Sequence, residues 1–414
     1  MASFAVIGLY GQTIVGTNPT YKRAVLEEFG GIYCVYCPHG HQIIAEMEEV
    51  LGDELVLLNY QTGSYAVPIG NDPDLGSDYG EYVEGLSQLA GYPAAMVNRR
   101  VFSGLEQGAP GTSALSRTEW NEAVTTILQQ PAPVNIAATA NLNVATLELE
   151  LHVEYYYTAS ANQANNRLHI AVLQNDLLAP QHGGQQGNYY AHQHVVRDFI
   201  TGTNGHLITH TQPASFGSLV YDLQLPESYR DIVVDPLKIE IVAFITENEM
   251  EVLNGISVVP ELHTHLDSDC FLEAVLAPTD LCNEAIAPSL IIRNNGASPL
   301  TYCEVDYGIV DGIVQTYTWT GYLGNFETTE VSLPALWPTT GFTEQVLFAT
   351  LQNPNHVPDP TVVNNSKQHA FSVAPEVSEH TLEIAIRTDA YGHETYWKSL
   401  MKQAFCTHQE ATRL

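Results

Sequence analysis

The sequence predicts a multidomain chain in which an α/β unit is followed by two all-β sandwich modules. Three observations carry that expectation. The chain has 414 residues, too many for a single core when domains usually hold roughly 100–200. Up to about residue 130 helical and strand periods alternate. Beyond that point the helical period is gone, and short alternating runs are separated by Asn, Gly and Pro turns.

The N-terminal "MASFAVIGLYGQ" is a short apolar stretch with no basic residue before Lys22 and no clear small-x-small cleavage site. It reads equally as a first strand or as a degraded or truncated signal peptide. "RAVLEEF" (23–29) reads as a buried strand. In "GGIYCVYCPHGHQ" (30–42) Cys34 and Cys37 sit in a turn, and from Gly40 onward Ile43, Ile44, Met47, Val50 and Leu51 recur at helical spacing. "GDELVLLNY" and "PAAMVNRRVF" (93–102) return to strand character. "SRTEWNEAVTTILQQ" begins with a capping box, Ser116 and Glu119, ahead of a helix face of Trp120, Val124, Ile127 and Leu128. "PAP" at 131–133 cannot continue that helix and sets an expected boundary.

The runs "NIAATANLNVATLELELHVEYYYTA", "RLHIAVLQNDLLAP", "SLVYDLQLP" and "LKIEIVAFITENEMEVLNGISVV" alternate as an antiparallel sandwich should. A second β-unit starts near Asp269, with Asn-Asn-Gly and Val-Asp-Gly as its turns. "TLEIAIRTDAYGHETYW" (381–397) reads as the start of a further strand pair, and the last residues match neither period. The expected organisation is an α/β domain over 1–130, a sandwich over 131–266, a second sandwich over 267–376, and a partial β segment with an irregular tail over 377–414.

Charge narrows the function. Fifteen Lys and Arg stand against 47 Asp and Glu, a net charge of −32, which argues against nucleic acid or an anionic membrane as partner. Charged residues are nonetheless 15% of the chain, a balance that favours folded extracytoplasmic modules over disorder. No apolar run approaches the roughly 20 residues a transmembrane helix needs. Six cysteines are too few for a disulfide scaffold and are read locally.

The first 265 residues resemble the outer-membrane-protein-28-related family of Bacteroidetes, through "VLEEFGGIYCVYCPHGH", "GYPAAMVNR", "LHIAVLQNDLLAPQ", "YYAHQHVVRDF" and "IVAFITENEMEVLNG". That resemblance implies a thioredoxin-like domain ahead of a β-sandwich, and an extracytoplasmic location in periplasm, outer membrane or medium. From Asp269 to about Val373 the chain is similar to an immunoglobulin-like module of secreted Bacteroidetes proteins, through "IIRNNG", "TYTWTGYL" and the Asp359–Asn365 "DPTVVNN".

A dithiol catalyst needs one thiolate that attacks and a second that resolves, and a helix N-terminus lowers the pKa of the first. Cys34 fits the exposed nucleophile and Cys37 the resolving thiol. The thioredoxin-like resemblance adds Glu28 as a buried proton acceptor, Pro93 as a cis-proline, and two substrate contacts, Tyr92 beside that proline and Tyr33 as the aromatic before the first Cys. Val35-Tyr36 differs from the Gly-Pro of reducing thioredoxins, so the direction of electron flow stays open. A metal reading takes Cys34, Cys37, His39 and His41, but ligands crowded onto one tight turn suit zinc poorly; His39 and His41 read better as solvent-facing helix residues. A third reading makes Cys34 and Cys37 a disulfide that only staples the turn.

His192 and His194 alternate as a metal pair on one strand face would, or as two solvent-facing residues. The acidic 71–85 stretch lacks EF-hand order and reads as a solvated loop. Among Cys270, Cys282 and Cys303, a Cys270–Cys282 or a Cys282–Cys303 disulfide is expected, leaving one thiol. The functional expectation is thiol–disulfide exchange on extracytoplasmic proteins, with no organic cofactor. The rival is a surface-binding or adhesion protein whose thioredoxin-like domain is a scaffold and whose partner is a cell-surface ligand.

Overall fold

Strand β1 (Ala24–Gly30) shows no alternation because both its faces are covered: all seven residues are buried. Ala24 and Leu26 pack with Ile44, Met47, Trp120 and Ile127, while Val25 and Phe29 pack with Leu58, Tyr60 and Phe244. The computed structural model that shows this describes residues 13–374, apart from 164, 188, 189, 249 and 283. The opening 12 residues, the expected strand pair at 381–397, the tail and Cys406 lie outside the described residues.

Helix α1 (Cys37–Leu51) has Pro38 in its first turn and buries Cys37, Gly40, Ile44 and Met47, a stripe at helical spacing. It carries the chain over to β2 (Leu55–Gln61), which pairs with β1 in parallel. The acidic stretch expected as a loop ends in a helix, α2 (Gly80–Ser87), because Val83 has a core to enter. Two of its acids answer a cation: Asp74 and Asp78 lie 2.7 and 2.8 Å from Arg230.

Strand β3 (Ala94–Val97) runs antiparallel to β1, followed by β4 (Leu115–Ser116) and helix α3 (Trp120–Leu128). The expected capping box is not made. Glu119 is the N-cap with no side-chain cap bond, because Ser116 is taken up as the end of β4.

The next strands are β5 (Val134–Asn143), β6 (Glu148–Tyr157), β7 (Asn166–Gln174), β8 (Leu177–Ala179), β9 (Tyr190–His192), β10 (Val195–Phe199), β11 (His206–Ile208) and β12 (Phe216–Gln224). A small hairpin, β13 (Ser228–Tyr229) and β14 (Ile232–Val233), leads to β15 (Ile239–Glu247), β16 (Val252–Val258) and β17 (Glu261–His263). The main sheet has the order β16-β15-β7-β10-β2-β1-β3-β4, with β11 also on β7. It therefore runs through the boundary expected near residue 131, joined by Val195 of β10 opposite Asn59 of β2.

Period two explains the join. On β7, Ile170 and Val172 face a core built with β5 and β6, whereas Ala171 and Leu173 face the core of Phe29 and Tyr60. The second sheet, β12-β6-β5-β17, thus covers one face of the extended main sheet. Compact units divide at His263 and Thr264.

The unit from Thr264 contains β18 (Cys270–Leu276), β19 (Asp280–Leu281), β20 (Ser289–Asn294), β21 (Leu300–Ile309), β22 (Gln315–Leu323), β23 (Thr328–Ser332), β24 (Glu344–Gln352) and β25 (Ser366–Val373). Sheets of order β18-β20-β23 and β19-β25-β24-β21-β22 share one apolar core, with Leu272 and Leu290 from the first and Val305, Leu351 and Phe371 from the second. The expected turns are present: Asn295 and Gly296 follow Asn294 at the end of β20, and Asp311, in the left-handed region, joins β21 to β22.

Cys270 and Cys303 are both buried thiols in that core. Neither expected disulfide with Cys282 is therefore formed. Strand register places Cys270 and Cys303 facing inward, while Cys282 stands half-exposed just past β19.

Candidate functional site around Cys34 and Cys37

The site is built where β1 delivers the chain to α1. After Gly30 the backbone turns tightly, Cys34 N donating to Gly31 O at 2.9 Å and Cys37 N to Cys34 O at 3.2 Å. The sulfurs of Cys34 and Cys37 lie within bonding distance, with Cα atoms 5.4 Å apart. Cys37 is fully buried and Cys34 is 3% exposed. The expected exposed nucleophile is thus covered, while Val35 and Tyr36 between the cysteines stand out at 59% and 64%.

A segment from far along the chain lies on the backbone of this turn. The segment between β8 and β9 closes on the turn: Gln181 Nε2 donates to Cys34 O at 2.9 Å and to Gly31 O at 3.3 Å, and His182 N donates to Ile32 O at 2.8 Å. Gly183, at φ +81°, passes so close that a Cβ there would stand 2.4 Å from Val35 O. Sequence reading missed this segment. Its only signal was the Gly-Gly pair in a run with no period of its own.

Beneath the turn, Glu28 is buried on β1. Its Oε2 accepts from Asn59 Nδ2 at 2.8 Å, and Asn59 is itself held by Gln61 at 2.8 Å. Its Oε1 has no hydrogen-bond partner, with His41 Nε2 at 3.6 Å. Burial pushes the carboxyl up to about 8, against the pull of Asn59 and His194. His41 is lowered to about 3 by burial and then by His192, so imidazole and acid meet as neutral groups. The expectation of a solvent-facing His41 fails because α1 turns it inward, Nδ1 at 2.7 Å from Tyr190 Oη. His39 is exposed as expected, and its Nδ1 accepts from Arg117 Nε at 2.8 Å.

Pro93 follows a cis peptide bond, and the ring packs under α1: a Cβ on Gly40 would lie 3.3 Å from Pro93 Cγ, 3.2 Å from Glu28 Oε1 and 3.1 Å from Trp120 Cη2. The two tyrosines proposed as substrate contacts spend their hydroxyls internally. Tyr33 donates to Asp72 at 2.6 Å and Tyr92 to Glu84 at 2.8 Å.

His192 and His194 do not share a strand face, because His194 sits after β9 in the left-handed region at φ +54°. His192 is buried beside His41, ring centroids 6.2 Å apart. His194 bridges Glu240 at 2.9 Å and Glu48 at 3.3 Å; burial alone would lower it, but these two carboxylates hold it up to about 9. A cavity of about 490 Å³ opens here, lined among others by Glu28, His41, Glu48, Tyr190 and His194. No group of three His, Cys, Asp or Glu side chains positioned for a metal exists among the described residues, so Cys34, Cys37, His39 and His41 do not converge as ligands.

Residues 83–263 match the family model described as outer membrane protein Omp28. That segment is similar to Omp28. The matched segment begins in α2 and ends with β17, so it spans the cis-proline, the covering segment and the strands from β3 onward, while β1, β2 and the CxxC turn precede it. Comparison with curated proteins gave no match. Among solved structures, the chain is similar to HBP35 of Porphyromonas gingivalis, 17% identical over 86% of this chain and 98% of that one, with a TM-score of 0.46. It is similar to a domain of the outer membrane lipoprotein Omp28 from Porphyromonas gingivalis at 16% identity, 32% and 91% coverage and a TM-score of 0.23. A CARDB domain from Pyrococcus furiosus, solved in complex with di-metal ions, gives 22% identity, 26% and 89% coverage and a TM-score of 0.22. Scores this low carry no functional assignment. No helix among the described residues is long and apolar enough to cross a membrane.

Proposed function

We propose that this chain is an extracytoplasmic protein of the outer membrane or cell surface whose role is binding, with a thioredoxin-like α/β scaffold in which Cys34 and Cys37 staple the turn as a disulfide. The observation that carries this reading is the covering of that turn. Gln181, His182 and Gly183 lie on the backbone of residues 31–35, where a substrate strand would have to dock. What the turn presents outward is Val35 and Tyr36. The β1–α1–β2 crossover, the antiparallel β3 and β4 and the closing α3 support the thioredoxin-like part. The Omp28 match supports the location.

Glu28 favours a second reading, thiol–disulfide exchange. In it the reduced Cys34 thiolate attacks one sulfur of a substrate disulfide, expelling the other as a thiolate and forming a mixed disulfide; Cys37 gives its proton to the Glu28 carboxylate and attacks Cys34 Sγ, expelling the second substrate thiolate and leaving the Cys34–Cys37 disulfide. A buried acid titrating near 8 suits that transfer. One experiment separates the two. The full chain, with and without Cys34→Ser, is assayed for reduction and isomerisation of a model protein disulfide. The binding reading expects no Cys34-dependent turnover and a disulfide that reduces quickly only when the fold is loosened. Cys34-dependent turnover by the native chain would replace it with the exchange reading.

A further inference from the structure

The cavity of about 490 Å³ beside α1 is graded from rim to floor. Gln42, Ala45, Glu48, Gln185 and Gln186 line it with exposed residues, while Leu26, Glu28, Ile44, Leu57 and Asn59 line it with buried ones. Most of its polar lining is already spent. Asn59 is held between Glu28 and Gln61, Gln193 by the backbone N–H and the carboxylate of Asp176, and Tyr190 Oη by His41 Nδ1 at 2.7 Å. His194 is taken by Glu48 and Glu240. Among the described lining residues, two buried side-chain atoms have no hydrogen-bond partner, Glu28 Oε1 and His41 Nε2, and they stand 3.6 Å from each other.

A cavity of this volume is the size that takes a small organic molecule, and its walls set the kind. Leu26, Pro38, Ile44, Ala45 and Leu57 give it an apolar side. The two bare atoms can serve one head that both donates and accepts, whichever of them holds the hydrogen. We propose that the cavity binds a small uncharged molecule with an apolar body and a hydroxyl head, the hydroxyl bridging Glu28 Oε1 and His41 Nε2. Two polar atoms left bare in a buried place cost the unliganded fold, and the hydroxyl removes that cost. Charge excludes the other heads. No Lys or Arg stands among the described lining residues, and His194 is already neutralised by two carboxylates, so an anionic head meets no counter-charge. An ammonium head needs Glu28 ionised, whereas burial holds that acid protonated up to about 8. The inference rests on the binding reading, since it assigns Glu28 to a ligand instead of to Cys37.

The test titrates the full chain with octan-1-ol, octanoate and octylammonium by calorimetry, on the acid side of the Glu28 value of about 8. Octan-1-ol should fill one saturable site, and each methylene added from hexan-1-ol onward should tighten it about fourfold, the equivalent of ~0.8 kcal/mol per buried CH₂. Octanoate and octylammonium, competing for that site, should each bind at least about tenfold more weakly. Ala45→Trp changes an exposed helix position at the rim; it should fold and weaken octan-1-ol by at least about tenfold. Should it not fold, Gln42→Trp, also exposed at the rim, is titrated under the same criterion. Lack of a saturable site, an unchanged affinity in the folded rim variant, or a charged head that matches the alcohol would overturn the proposal. A chain with neither turnover nor an alcohol site keeps the binding reading and loses this ligand, whereas Cys34-dependent turnover removes the binding reading whatever the alcohol does.

Discussion

Glu28 ends in surroundings that keep it protonated, and this makes its contribution to stability pH-dependent. Its folded pKa of about 8 lies above the ordinary 4.5. Stability that is full below 4.5 is therefore lost as pH rises through 8, at a slope of about 1.4 kcal/mol per unit at most. Glu28→Gln keeps the bond from Asn59 and turns its amide toward His41. It should match the wild type at pH 4 and exceed it in melting temperature at pH 8, as scanning calorimetry would record; an equal difference at both values counts against a buried neutral acid. Gly40 gives a second residue-scale prediction. Alanine would gain about 1 kcal/mol of helix propensity, but its Cβ would stand 3.1–3.3 Å from Trp120, Glu28 and Pro93. Trp120 and Glu28 are buried and have little room to give, so overpacking of about 1–3 kcal/mol should win. Gly40→Ala is expected to lower the urea midpoint.

At the scale of elements, the segment between β8 and β9 decides how the CxxC turn behaves. Sequence reading placed Cys34 at an exposed helix start because local spacing is all that a turn motif contains. The cover is supplied by residues about 147 positions away, Gln181 donating to Cys34 O, and no local period announces such a contact. Gly183→Ala cannot be accommodated without moving Val35 or the segment, since the clash is with a backbone oxygen at 2.4 Å. The variant should stay folded while its Cys34–Cys37 pair is reduced by dithiothreitol at least about tenfold faster. Unchanged reduction kinetics would show that the segment does not guard the sulfurs.

For the molecule as a whole, the main sheet sets where the chain can be cut. Ending at Gln130 would strip β10 from β2 and remove Phe244 and Leu173 from the core that holds Val25, Phe29 and Tyr60. That fragment should lack a cooperative thermal transition, whereas one ending at His263 keeps both cores and should unfold cooperatively. A sharp transition and dispersed amide spectrum for the shorter piece would contradict this.

By itself the sequence determined the local elements: β1, α1, β2 and α3 follow from apolar spacing, the β-rich remainder from strict alternation, and the turns after β20 and β21 from Asn-Gly and Asp-Gly chemistry. It also placed Glu28 inside and a cis bond before Pro93, both through the thioredoxin-like resemblance. Tertiary structure decided the rest, because each remaining feature depends on which distant groups meet. Ala171 and Leu173 alternate like any strand residues, and only sheet pairing shows that they complete the core of the α/β part. Nothing in the sequence pairs Arg99 with Glu27, yet a buried bidentate pair at 2.7 and 2.8 Å joins them. His194 becomes a cation between Glu48 and Glu240 for the same reason. Periodicity records which face a side chain takes; what stands opposite that face is settled only when the strands pair.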